Sequence, residues 1–377
     1  MAGIYLHIPF CKRRCIYCDF FSSTEEGMKH RYVDALCREL ECRKSYVGGE
    51  PIRTIYIGGG TPSQLSLSEL QRLFQCIYKV YNVDDDPEVT LETNTDDFTE
   101  EYVEGLSRTL PINRISMGIQ TFDDERLRFL QRRHTAYQAK EAIERCRRYG
   151  FTNLSIDLIY GLPGQDVEAW NQELDQAVAL KVPHLSAYHL TYEEGTRLWQ
   201  LKEQGLISEV DEETSVQMYA VLVERLKETG YQHYEISNFC QPGMESRHNS
   251  SYWKGVPYIG CGAAAHSYDG VSRQWNVASI FNYIKGIEEG TPMIERENLD
   301  LNTRYNDYIV TSLRTMWGAS LETIQARFGA VFFHHCLREA RRHLNSNLLR
   351  QEGDVLCLTE EGVFLSDGII SDLLWVE

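Results

Sequence analysis

Basic residues are scarce in this chain: Lys and Arg number 38 against 55 Asp and Glu, a formal charge of −17. Nonspecific nucleic-acid binding draws on a basic surface that displaces counterions, so that class is set aside. No apolar run approaches transmembrane length, and the opening Met1-Ala2-Gly3-Ile4-Tyr5-Leu6 lacks the basic stretch and sustained apolar stretch of a signal peptide. Internal repeats and low-complexity tracts are absent as well. A second CxxC is missing, and structural zinc motifs usually arrive as two spaced pairs. The eleven cysteines are odd in number and, outside one N-terminal trio, sit singly, which fits a reducing compartment. These absences predict a soluble cytoplasmic protein with no transmembrane segment and no nucleic-acid partner.

What is present begins with that trio. Cys11, Cys15 and Cys18 form a CxxxCxxC loop after the strand-like stretch 3–8. Three thiolates on one loop can hold three irons of a cubane cluster and leave the fourth iron open to exogenous chemistry. A Cys3His zinc site recruiting His7, or unliganded thiols, are the alternatives on spacing alone.

The 377 residues suit one large α/β domain plus a smaller one. Short apolar strands are expected at 4–7, 54–57, 89–93, 114–118, 154–159 and 184–189, with amphipathic helices between them at about 30–46, 66–81, 99–109, 135–149 and 166–180. Six β/α units in series imply a parallel sheet that curls into a partial (β/α)6 barrel with its ligand site at the carboxyl ends of the strands. The unusual loops fall there: the cysteine loop, Gly58-Gly59-Gly60-Thr61-Pro62, Glu92, Gly118-Ile119-Gln120, and Asp157 with Gly161-Leu162-Pro163-Gly164. The expected division is a partial barrel over 1–230, a β/loop extension over 231–300, and a small winged-helix-like α+β domain over 301–377. Beyond about residue 215 the pattern changes, with a helix at 215–229 and an aromatic strand at 232–237. The last domain reads as three helices and a hairpin around Glu352-Gly353, and its Arg338, Arg341 and Arg342 suit a solvated helix face.

As chemistry, Glu92 and Asp157 are strand-end carboxylates suited to an ammonium or ribose hydroxyls, Gln120 donates and accepts, and Arg132 or Arg133 can grip a carboxylate. Together they match a zwitterionic nucleoside such as S-adenosylmethionine. The motifs Tyr5-Leu6-His7-Ile8-Pro9-Phe10-Cys11, Gly58-Gly59-Gly60-Thr61-Pro62, Arg114-Ile115-Ser116-Met117-Gly118-Ile119-Gln120 and Ile156-Asp157-Leu158-Ile159-Tyr160-Gly161-Leu162-Pro163-Gly164 stand in one order. In that order the chain resembles radical S-adenosylmethionine proteins of the oxygen-independent coproporphyrinogen III oxidase family, over nearly its whole length. The resemblance implies that Cys11, Cys15 and Cys18 ligate a [4Fe-4S] cluster and that Tyr5, Gly59, Thr61, Glu92, Gln120, Arg132 and Asp157 line the S-adenosylmethionine site. It also implies an electron donor such as flavodoxin or ferredoxin, since one electron from the cluster cleaves the sulfonium in such proteins.

Two departures bear on the substrate. The true oxidases carry a further cysteine two residues beyond the third ligand, where this chain has Phe20, and an N-terminal extension before the cysteine loop. In their place stands His248-Asn249-Ser250-Ser251-Tyr252-Trp253, an HNxxYW motif similar to that of the haem-chaperone (HemW) branch of the family. His248, Tyr252 and Trp253 are therefore candidate haem contacts, an imidazole for the iron and flat rings for the macrocycle; a hydrogen-bonded corner at His248 is the alternative. The resemblance implies haem as cargo and apo-haemoproteins of the respiratory chain as acceptors. Coproporphyrinogen III oxidation, or radical chemistry on another substrate, are the alternatives.

Overall fold

The computed structural model describes residues 1–376. Its first half repeats strand and helix. The strands are β1 (Ala2–Ile8), β2 (Ile52–Gly59), β3 (Val83–Thr93), β4 (Arg114–Gln120), β5 (Asn153–Tyr160) and β6 (His184–His189). They lie side by side in chain order and pair in parallel throughout.

Residue alternation explains how the sheet sits. Ile4, Leu6 and Ile8, then Ile55 and Ile57, Val89 and Leu91, Ile115 and Met117, Leu154 and Ile156 fill one face and pack in the main core with the helices. Each such side chain contributes about 1.5–3 kcal/mol on burial. The intervening positions are polar: Tyr5 and His7, Thr54 and Tyr56, Glu88, Thr90 and Glu92, Arg114 and Ser116, Ser155 and Asp157, His184 and Ser186. Period-two alternation therefore places a polar lining on the other face, the inside of the partial barrel.

The connecting helices start where the sequence supplies caps. Ser66 and Glu69 form a capping box at Leu67–Val80, Thr135 and Gln138 another at Ala136–Arg148, and Asp166 caps Val167–Ala179. The first helix is Lys29–Cys42, shorter than the expected 30–46, because Arg43 to Gly49 turn rather than continue. A short helix at Asp124–Phe129, capped by Asp123, lies outside the expected pattern.

The segment expected to form a single extension is split between the two edges of the sheet. β7 (Gln232–Glu235) and β8 (Asn238–Cys240) add antiparallel strands beyond β6. β9 (Tyr258–Cys261), β10 (His266–Tyr268), β11 (Ser272–Asn276) and β12 (Ile294–Asn298) build outward from β1, β9 running parallel to it. Glu39, 1% exposed, anchors this second edge to the first helix. Its carboxylate accepts from Gly262 N–H, the Tyr283 hydroxyl, Asn276 Nδ2 and Arg43 Nη1 at 2.6–2.9 Å.

A separate hydrophobic core begins at Tyr305 and runs to Leu373. Its order is helix Leu301–Leu313, strand β13 (Ala319–Ser320), helices Leu321–Phe328 and Ala330–Asn345, then the hairpin of β14 (Leu349–Glu352) and β15 (Val355–Leu358). β13 pairs with β15, giving the three-stranded sheet of a winged-helix arrangement. The two-residue strand and the closing helix Ser366–Leu373 were not separable from the sequence pattern.

Candidate functional site

The carboxyl ends of the strands open into a cavity of about 440 Å³. Cys11, Cys15 and Cys18 border it, half-buried, together with Gly59, Thr61, Glu92, Gln120, Arg132 and Asp157. Seven of the eight candidate groups after the first strand are thus gathered at one place, counting the cysteine loop as one group and Gly59 to Asp157 as six. The eighth, Arg133, turns outward to pair with Asp97 at 3.2 Å and with Asp96, which leaves Arg132 as the guanidinium of the site.

Tyr5 is the departure. It does not line the cavity; its hydroxyl shares a hydrogen bond with His7 Nδ1 at 2.9 Å beneath the floor. The other His7 nitrogen bonds the Phe21 carbonyl, also at 2.9 Å. His7 is therefore spent on holding the cysteine loop and offers no nitrogen to a Cys3His zinc site.

Each glycine of the triplet answers a specific close approach. A Cβ on Gly60 would lie 3.0 Å from Cys11 Sγ and 2.9 Å from the Pro9 carbonyl carbon. One on Gly59, at φ +114°, would meet the His7 ring at 2.8 Å, and one on Gly58 the Glu92 carboxylate at 3.0 Å. The loop thus brings the cysteines down onto the second strand. Gln120 also holds φ at +73°, a left-handed conformation for a non-glycine residue at the strand end.

A chain of polar contacts ties two of the cysteines together. Cys11 Sγ is 3.3 Å from Thr61 Oγ1, which accepts from Asn94 Nδ2 at 3.1 Å. Asn94 Oδ1 accepts from Arg132 Nη2 at 2.7 Å, and Arg132 Nη1 reaches Cys15 Sγ at 3.6 Å. Asn94 was missed from the sequence; its one signal is a polar residue immediately after the strand-end pair Glu92-Thr93.

The electrostatics suit a cationic, zwitterionic guest. Burial pushes the Glu92 carboxyl up to about 7, against the stabilising Tyr56 hydroxyl, and the neighbouring Asp157 pushes it further. The Tyr56 hydroxyl donates to it at 2.6 Å and Gly59 N–H at 3.1 Å. Burial likewise raises Asp157 to about 6, offset by Ser186, Arg114 and Arg132. Burial raises Cys18 to about 11. Arg132 Nε and Thr93 Oγ1 are buried with no hydrogen-bond partner among the described residues. Three thiols on one rim, two carboxylates and an orphaned guanidinium N–H opposite them fit a cluster with an adjoining amino-acid nucleoside.

The HNxxYW motif lies elsewhere. His248 is 1% exposed under the amino ends of β2 and β3, on the helix Arg247–Trp253. Its Nδ1 bonds Thr54 Oγ1 and its Nε2 the Tyr252 hydroxyl, both at 2.8 Å, and its ring stacks on Tyr56 at 5.0 Å. Burial holds it neutral, down at about 3. With both nitrogens engaged, the expected axial ligand takes the geometry of the hydrogen-bonded corner. Tyr252 and Trp253 instead face a second cavity, between this helix and the C-terminal unit.

Residues 5–177 match the radical SAM superfamily and residues 299–365 the HemN C-terminal domain. A protein named heme chaperone HemW from Lactococcus lactis subsp. lactis is 33% identical over 98% of this chain and 96% of its own length. Another of that name, from Mycobacterium tuberculosis strain H37Rv, is 34% identical over 99% of this chain and 94% of its own length. The chain belongs to the HemW family of radical SAM proteins. Membership of the superfamily implies a [4Fe-4S] cluster and S-adenosylmethionine. The fold also matches a structure of the Escherichia coli coproporphyrinogen III oxidase HemN, with TM-score 0.85 and 22% identity over 99% of this chain and 89% of that one. No helix among the described residues is long and apolar enough to cross a membrane.

Proposed function

We propose that this HemW-family chain binds haem and passes it to apo-haemoproteins, respiratory enzymes among them, and acts in the cytoplasm. In this account Cys11, Cys15 and Cys18 hold the [4Fe-4S] cluster. Thr61, Glu92, Gln120, Arg132 and Asp157, with the Gly59 backbone, hold S-adenosylmethionine, and Tyr5 supports the floor through His7. When bound, cluster and sulfonium supply one-electron chemistry, for which flavodoxin or ferredoxin is the donor class. Full-length similarity to proteins named heme chaperone carries the haem-delivery assignment.

Coproporphyrinogen oxidation is the second reading, favoured by the HemN-like fold alone. Phe20, on the cavity rim and 65% exposed, stands where the oxidases have their additional cysteine. Anaerobically reconstituted protein with S-adenosylmethionine and reductant is expected to form no protoporphyrinogen IX from coproporphyrinogen III, while the same sample binds haem and transfers it to an apo-haemoprotein. Multiple-turnover protoporphyrinogen formation would reverse the order of the two.

The Glu92 carboxyl gives the nucleoside assignment its own test. Raised to about 7, it is neutral below that pH and ionised above it, and only the ionised form attracts an ammonium or sulfonium. S-adenosylmethionine affinity is therefore expected to rise about tenfold between pH 6 and pH 8. Glu92→Gln should flatten that rise and weaken binding with iron content retained. A flat profile in the wild type would remove Glu92 from contact with the ligand.

A further inference from the structure

The cavity beside Tyr252 and Trp253, about 210 Å³, lies between the helix Arg247–Trp253 and the helices Leu301–Leu313 and Leu321–Phe328. Its walls combine flat rings with guanidiniums. Arg273 is committed, with Nη2 donating to Asp307 Oδ2 at 2.5 Å. Arg304 and Arg327 are not: among the described residues no carboxylate lies within ion-pair distance of either. Arg304 directs Nε to the Asp300 carbonyl at 3.3 Å, and the Arg327 guanidinium lies over the Tyr308 and Phe328 rings at 5.9 and 5.3 Å.

In a chain with formal charge −17, most surface guanidiniums have a nearby carboxylate, and two uncompensated ones at one cavity are a built-in positive site. A guanidinium grips a carboxylate through paired N–H donors, and aromatic walls favour a flat apolar body. We propose that Arg304 and Arg327 receive the carboxylates of a planar aromatic dianion whose edge enters between Trp253 and Tyr308. Resting on the haem-carrying reading, that dianion is the haem, held by its two propionates.

This placement also gives the motif a division of labour. Tyr252 and Trp253 reach the cavity, whereas His248 stays behind Tyr252 and fixes it through the 2.8 Å bond to its hydroxyl. A cavity this small admits one edge of a macrocycle and leaves the opposite edge outside, an arrangement that suits release to an acceptor.

The experiment uses the full-length, cluster-loaded protein, titrated by fluorescence anisotropy with iron-free protoporphyrin IX and with its dimethyl ester in the same detergent. Wild type is expected to bind the diacid about tenfold tighter than the ester, the scale of one charge-assisted contact pair. Arg304→Gln/Arg327→Gln should abolish that preference with ester affinity within about twofold, and Arg304→Lys/Arg327→Lys should restore part of it. Arg327→Gln alone, at an exposed position, guards against misfolding of the double variant and should lower the preference by itself. A diacid preference unchanged in the Gln variants, or absent in wild type, overturns the site. If haem still binds in those cases the haem-carrying reading stands without it; if wild type binds no tetrapyrrole at all, both fall.

Discussion

Cys15→Ala is expected to yield a colourless protein after anaerobic purification, its iron falling from about four atoms per chain to less than one. The effect is large because a cubane held by three protein thiolates loses a corner it cannot replace. The nearby candidates are engaged or distant: His7 is bonded through both ring nitrogens, His189 on the cavity wall bonds Ser215 Oγ through Nε2 at 3.1 Å, and Cys37, Cys42 and Cys76 lie on the helices Lys29–Cys42 and Leu67–Val80. Cys42→Ala, at an exposed position, is the matched control and should keep full iron. Because Arg132 Nη1 lies 3.6 Å from Cys15 Sγ, Cys15→Ala should also weaken S-adenosylmethionine binding through the loss of both the open iron and the positioned guanidinium. Full iron in Cys15→Ala would remove that residue from the ligand set, and stoichiometric zinc without sulfide in the wild type would replace the cluster assignment altogether.

Much of this site was legible in the sequence because its parts lie at strand ends. In consecutive parallel β/α units a residue just after a strand arrives at the same rim as its counterparts, whatever the intervening helix does. Thr61 follows β2, while Glu92, Gln120 and Asp157 lie in the closing residues of β3, β4 and β5, and the spacing of the three cysteines is local. What the pattern left out depends on distance through space. Asn94 earns its place only by bridging Thr61 and Arg132, which are 71 positions apart by their numbers. Tyr5, three residues before the end of β1, is not among the residues lining the cavity, because its hydroxyl is turned to His7 Nδ1. The glycine triplet was visible as a close approach, but its partners are Cys11, His7 and Glu92 rather than a ligand alone.

Strand pairing at the sheet edges is not written in the local pattern. Nothing in the composition of 232–240 or 258–298 says which edge of a sheet each will join, and the two segments went to opposite edges. The second is held by Glu39, a buried carboxylate in the middle of an otherwise ordinary amphipathic helix. The alternation along β1 to β6 carried more than was taken from it, since the polar members Thr54, Glu88, Arg114, Ser155 and His184 mark the inner face of the barrel. That face also explains the fate of His248, whose attraction as a haem ligand came from its neighbours in sequence, Tyr252 and Trp253.

His248→Ala is accordingly expected to act on stability and not on the haem spectrum. The imidazole is enclosed, stacked on Tyr56, and among the described residues supplies the only hydrogen bond of the Tyr252 hydroxyl and of Thr54 Oγ1. Its removal leaves those two hydroxyls in a void at the base of the barrel. The lost packing and the unpaired polar groups together cost about 3 kcal/mol. Denaturant unfolding should therefore show a lower midpoint with little change in slope, the mark of altered stability without altered compactness. Below the unfolding transition, the variant should retain its iron and give a haem complex with an unshifted Soret band, because no iron–imidazole bond was present to lose. Haem affinity should fall only as far as Tyr252 loses its fixed position. A shifted Soret band with an unchanged unfolding midpoint would show instead that the imidazole leaves Thr54 and Tyr252 to bind the iron, and would return His248 to the ligand role its motif first suggested.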